Sequence, residues 1–312
     1  MKRFKNILAV LANAADATLN ARAISLARQN DASLTFAAVV DVPRSGLPFL
    51  LGGQHEQRLT EHLVAHAQRR LAAPLAEARE AGVNARGEVL EGTAFLEIIR
   101  AVLRDAHDLV MKSADGAAGE RTLGSVDLHL LRKCPVPVWI VKPARRSGGQ
   151  RVLALVDPDP RDAERQGLNT LILQLGWSLA EMQRAELHVG HAWRLLAEDT
   201  LRSSGFLQMR PEEVDQLLRE ERRERRRLVE QLVSATVPAS VPCKVHLVKG
   251  EPRTSLAALA ARHRPDVIVM GTVGRSGIPG LFIGNAAESV LSQVTCSVLA
   301  VKPEGFKSPV TL

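Results

Sequence analysis

Leu90-Glu91-Gly92, the helix-length segment Thr93 to Ala106, and His107-Asp108-Leu109-Val110-Met111 are written a second time. The second copy is Val248-Lys249-Gly250, Glu251 to Arg264, and Pro265-Asp266-Val267-Ile268-Val269-Met270. Gly92 and Asp108 stand 16 residues apart, as do Gly250 and Asp266. Each copy closes on a matching apolar run, Pro137-Val138-Trp139-Ile140-Val141-Lys142-Pro143 and Ser297-Val298-Leu299-Ala300-Val301-Lys302-Pro303. A repeat of this length is a whole domain, too long for a solenoid unit. Two similar folds therefore stand in tandem, and the places where they differ bear on function.

Working outward, each copy alternates short apolar runs with helix-length periodic segments. In the second copy the runs are Val152 to Val156, Leu187 to Gly190, Val245 to Val248, Val267 to Met270 and Val298 to Val301. Between them lie helical stretches: Ala163 to Met182, Pro211 to Val233, Thr254 to Arg262 and Ala286 to Gln293. Alternating β and α elements predict a parallel sheet with helices on both faces. The polar, Gly-rich stretch Ala144 to Gly149 reads as a linker, which divides the chain into residues 1–143 and 150–312.

The chain has 312 residues, a length that suits two domains, and its 46% apolar content gives each a core. The formal charge is +7, but the arginines are spread along the chain and aromatic residues make up only 3%. That argues against nucleic acid, because base-stacking platforms need aromatics. In the Arg-rich run Arg219 to Arg227, Glu220, Glu221 and Glu224 are interleaved at i,i+3 and i,i+4 spacing, as on a solvated helix face. Cys134, Cys243 and Cys296 form no CxxC pair, which fits a reduced, cytoplasmic protein. Met1 to Asn6 followed by Ile7 to Ala14 imitates a short signal peptide. Yet Gln150 to Val156 holds the same place far inside the chain, so Ile7 to Leu11 is expected to be a buried strand. No apolar run approaches the roughly 20 residues of a membrane span.

After the run Val267 to Met270 comes Gly271-Thr272-Val273-Gly274-Arg275, and with nine residues between, Gly274 is followed by Gly284-Asn285-Ala286. Glycines admit a ligand close to the backbone, and a helix N-terminus offers N–H groups to an anion. In an open parallel sheet, ligands bind beyond the C-terminal strand ends. Arg275 can add charge, and Asn285 can cap the helix or donate to a phosphate oxygen. A Gly-rich turn before a capped helix accounts for the same residues. Val156-Asp157 follows the first strand at the same sheet edge. Its carboxylate can accept from a base or ribose, or Asp157-Pro158-Asp159-Pro160 is simply a turn.

These features together resemble the universal stress protein family, closest to its tandem E-type branch. The carriers are Val156-Asp157, the spaced glycines Gly271, Gly274 and Gly284, and the closing strand Val298 to Pro303. The resemblance implies two tandem Rossmann-like, adenine nucleotide alpha hydrolase-like α/β domains, each a five-stranded parallel sheet. It implies ATP, with or without Mg2+, held by Val156, Asp157, Met270, Gly271, Thr272, Gly274, Arg275, Gly284, Asn285 and Ala286. It also implies antiparallel pairing of the last strands, an intramolecular pseudo-dimer that can pair further as a homodimer. The usual Ser or Thr at the end of the loop is here Asn285.

The first copy departs further. Its loop is Ser113-Ala114-Asp115-Gly116, then seven residues, then Gly124-Ser125. Asp115 and Glu120 set carboxylates where phosphates would lie, and Ala12 replaces Asp157. This copy is expected to have lost nucleotide binding. Leu47 to Leu51 is an apolar stretch that is either a lid over an apolar small molecule or a loop packed on the body. His188 and His191 would point to opposite faces of a strand, so they are not expected to share a metal. No Gly-Lys-Ser or Gly-Lys-Thr signature and no nucleophile, base and orienter arrangement is visible. The expected function is stress response through nucleotide binding. The alternatives are a slow ATPase or nucleotidyl-transfer enzyme, and a carrier of an apolar ligand in the first domain.

Overall fold

The structure, a computed structural model, describes residues 3–11, 17–41, 53–115, 123–142, 150–203, 209–272 and 283–312. The first half runs β1 (Asn6–Leu11), α1 (Ala17–Asn30), β2 (Ser33–Val40), α2 (Gly53–Glu80), β3 (Ala85–Glu91), α3 (Ala94–Asp105), β4 (Leu109–Ser113), α4 (Ser125–Lys133) and β5 (Val138–Val141). The second runs β6 (Arg151–Leu155), α5 (Ala163–Gln183), β7 (Glu186–Trp193), α6 (Glu198–Ser203), α7 (Pro211–Thr236), β8 (Cys243–Lys249), α8 (Pro252–His263), β9 (Val267–Gly271), α9 (Asn285–Gln293) and β10 (Ser297–Val301). Among the described residues ten strands form one sheet, in the order β3-β2-β1-β4-β5-β10-β9-β6-β7-β8. Ile7 to Val10 are buried in β1, so Asn6 to Leu11 form a strand inside the sheet.

The repeat has a physical basis. Gly92 and Gly250 adopt φ of 132° and 138°, a region closed to side-chain-bearing residues, and each turns a strand into the next helix. Helices α3 and α8 then end the same way. Ala106 and Arg264 take the left-handed conformation, and their N–H groups donate to Val102 and Ala260 carbonyls. The repeated aspartates fasten neighbouring strands. Asp108 accepts from the Lys5 and Asn6 N–H groups at 2.5 and 3.1 Å, and Asp266 from the Arg151 N–H at 2.9 Å.

All pairings within a half are parallel, and the halves meet through β5 and β10, which pair antiparallel (Val298 with Ile140, Leu299 with Trp139, Ala300 with Val138). The inner strands are apolar on both faces, as parallel strands covered twice must be, whereas the edge strands β3 and β8 carry charged, partly exposed residues. One core carries Leu19 of α1, Leu71 of α2, Ile172 of α5 and Val229 of α7. The other carries Ile99 of α3, Leu130 of α4, Leu259 of α8 and Val290 of α9. Each core runs through both halves. At the junction Lys142 and Lys302 are buried, and each donates into the opposite half, Lys142 Nζ to the Val294 carbonyl at 2.9 Å and Lys302 Nζ to the Leu131 carbonyl at 2.7 Å. These carbonyls lie at or near helix C-termini, where a cation is favoured. Among the described residues no helix is long and apolar enough to cross a membrane.

Candidate nucleotide cleft

Strand β9 ends at Gly271. The Thr272 N–H then donates to the Val301 carbonyl at 3.2 Å, and the Thr272 carbonyl accepts from the Gly284 N–H at 2.9 Å. The chain thus departs and returns at one point, and α9 starts beside the strand it left. Gly274 and Arg275 lie outside the described residues. Gly284 is the N-cap, with φ −59° and ψ 139° and no side-chain cap bond. Asn285 is therefore the first helical residue and not the cap, a correction to its expected role. The glycine cap itself brings no side-chain acceptor to the N-terminus of α9, which faces the cleft, and the carboxylate of the first turn is that of Glu288, which also lines the cleft.

Val156, Asp157, Met270, Gly271, Gly284, Asn285 and Ala286 all line one cleft of about 1110 Å³ at the C-terminal strand ends. Thr272 does not line it; it is buried, and its hydroxyl accepts from Lys302 Nζ at 3.3 Å. A Cβ at Gly271 would stand 2.8 Å from Leu168 Cδ2, so a side chain there would displace the end of that leucine.

The Asp157 backbone is clamped by buried Asn169, whose Oδ1 accepts from the Asp157 N–H and whose Nδ2 donates to its carbonyl, both at 2.9 Å. The Asp157 carboxylate is exposed and stands 3.3 Å from Arg165, which also meets Asp159 and Asp162. His191 Nδ1 lies 3.0 Å from the Val156 carbonyl, so that nitrogen carries the proton. Desolvation lowers the His191 pKa and keeps the ring neutral. Its Nε2 is then an acceptor, buried and without a partner among the described residues. Arg165, His191 and Arg225 are cleft residues that the sequence reading did not assign to the site. Arg225 belongs to the run read as a solvated face. Ion pairs with Glu221, Glu230 and Glu224 do occupy Arg225, Arg226 and Arg227, but α7 also turns Arg225 toward the cleft.

The first half is built differently at the matching place. Lys112 of β4 is buried, with its ammonium 2.9 Å from Asp127 Oδ1 and paired also to Asp115. Asp127 Oδ2 accepts from the Asp115 and Gly124 N–H groups at 3.0 Å each. Asp115 is thus paired with an internal cation while remaining exposed. A Cβ at Gly124 would collide with the Asp115 side chain. Glu120, Ala12 and Leu47 to Leu51 lie outside the described residues. The three cysteines are free. His188 and His191 do diverge, but His188 meets His246 and His263, a grouping with no local sequence spacing to reveal it.

Two stretches of the chain, residues 3–142 and 150–302, match the family model described as "Universal stress protein family". Universal stress protein E of Salmonella typhi is 28% identical over 237 residues, covering 75% of this chain and 73% of that protein. The protein of the same name from Escherichia coli is 28% identical over 221 residues, covering 70% and 68%. A crystal structure of a functionally unknown protein from Pseudomonas aeruginosa superposes with a TM-score of 0.72 at 23% identity, covering 98% of this chain and 95% of that one. The structural likeness speaks to the fold, and the two matched stretches speak to descent: this chain belongs to the Universal stress protein family, with two Usp domains in tandem.

Proposed function

We propose that the second domain binds an adenine nucleotide, ATP with or without Mg2+, and that the protein acts in the cytoplasmic stress response by binding. The observation that carries this reading is the glycine-capped N-terminus of α9 opening on a cleft that also takes in Asp157. A helix end without a side-chain cap is an anion site. On this reading Gly271, Gly284, Asn285 and Ala286 hold the phosphates and ribose, together with Gly274 and Arg275 of the intervening loop. Val156, Asp157 and Met270 hold the base side. The His191 imidazole fits the same ligand, since a buried acceptor without a partner is costly until a donor such as an exocyclic amine reaches it. Arg165, 3.3 Å from the Asp157 carboxylate, orients it as an acceptor. Equilibrium binding of ATP to the purified chain tests the proposal, and release of phosphate from Mg2+-ATP over hours separates binding from slow turnover.

A further inference from the structure

We propose that His188, His246 and His263 form a binding site for a zinc-type divalent cation, separate from the nucleotide cleft. His188 lies near the start of β7, His246 in the middle of β8 and His263 at the last residue of α8. Register places His188 beside Leu153, and Leu153 belongs to the core face that α8 covers. Because α8 runs back along the sheet, its C-terminus arrives over the same two strands. The cleft is bordered by the other end of β7, from His191 to Trp193, which begins ~10 Å along the strand from His188 and on its opposite face.

One ligand nitrogen from each of the three rings lies within 4.8 Å of the others, and His188 Nδ1 stands 2.9 Å from His246 Nε2. Three nitrogens at the usual zinc bond length of about 2.0–2.1 Å stand about 3.4 Å apart around a tetrahedral ion. The group brackets that spacing, and the half-buried His263 ring at a helix end is free to close on it. His188 Nε2 faces Glu186 Oε2 at 3.3 Å. Donation of Nε2–H to this carboxylate leaves the Nδ1 lone pair aimed at His246, the arrangement in which an outer carboxylate orients a metal-binding imidazole. Glu186 is itself held by Lys244 at 3.0 Å and lies 3.9 Å from Arg151. Lys244, Arg262 and Arg151 also face the imidazoles; their charge opposes a cation there, and the Glu186 carboxylate between Lys244 and Arg151 offsets part of it. Solvent completes the coordination sphere, because two of the three rings are only half-buried.

The test is titration of the tag-free, full-length protein with Zn2+ against a competing chromophoric chelator near neutral pH, with X-ray absorption of the loaded sample. One Zn2+ per chain is expected, bound at micromolar Kd or tighter with nitrogen and oxygen scattering only. His246→Gln and His263→Gln, each at a half-buried position, should weaken binding by tenfold or more with the wild-type melting profile. Glu186→Gln should weaken it by ~10–100-fold. Cys243→Ser should leave it unchanged, and ATP affinity should be the same in all variants. Absence of zinc binding in the wild type, sulfur scattering, or full zinc affinity in the His246→Gln and His263→Gln variants would overturn the proposal.

Discussion

Lys112 and Met270 occupy the same place in the two halves. Lys112 pairs with Val10 and Ile140, and Met270 with the corresponding Leu155 and Ala300. Three residues beyond the glycine that starts the next helix, Asp127 stands where the second half has Ala287. In the first half a lysine and an aspartate therefore close on each other at this point. In the second half a methionine and an alanine leave the space open, and both line the cleft.

Removal of one member of this pair should cost far more than removal of both. Asp127→Ala leaves a buried ammonium short of its main partner and strips the acceptor from two backbone N–H groups, at about 3–5 kcal/mol. Lys112→Met with Asp127→Ala installs the residues of the second half and should recover most of that loss. Chemical denaturation of the two variants checks this. Equal destabilisation in single and double variants would show that the pair is not coupled.

The tandem architecture was legible because Gly92 and Gly250 need positive φ and Asp108 and Asp266 tie strands together, so selection leaves them visible at fixed spacing. The strand runs were legible for the same reason that they fold, near-continuous apolar residues in a sheet covered on both faces. The short helix α6 was missed because Glu198 to Ser203 buries nothing and leaves no periodicity. At the site, Gly271 and Gly284 announce themselves by residue type, whereas Arg165, His191 and Arg225 reach the cleft only through the packing of α5, β7 and α7. The Lys112–Asp127 pair was hidden because charge at the end of a strand reads as exposed until a partner is brought to it from 15 residues away.

Asp157 should matter to the ligand and little to the fold. Its carboxylate is exposed and its ion pair with Arg165 is worth at most about 1 kcal/mol. Asp157→Ala should melt within a few degrees of wild type yet bind ATP about tenfold or more weakly, as measured by calorimetry. Unchanged affinity would remove Asp157 from the site.

Lys302 gives the junction a definite pH response. Burial lowers its ammonium to about 8 from the usual 10.5. Between those values the unfolded chain holds a proton that the folded chain has released, so this group adds stability as pH rises through 8 and subtracts most below it. In Lys302→Met that increment is absent. The stability of wild type relative to the variant should therefore grow from pH 7 to pH 9, as read by denaturation at each pH. A difference that is flat or falls with pH would contradict the assignment.

The β5–β10 seam should hold the halves together. Val298 and Val301 are fully buried. Their joint replacement by lysine sets two ammonium groups in apolar surroundings and should expose Val138 and Ile140, with separation of the halves or aggregation. Small-angle scattering and thermal melting report the outcome, and a double variant as compact and as stable as wild type would contradict it.

The most direct test of the functional account is calorimetric titration of ATP into the full-length protein and into Asn285→Asp. That isosteric change sets a negative charge on the first residue of α9, where it favours the helix and repels phosphate. The account predicts one nucleotide per chain in the wild type and a loss of tenfold or more in affinity in the variant, with its melting temperature equal or raised. Two equivalent nucleotides per chain, no binding, or undiminished affinity in Asn285→Asp would contradict it.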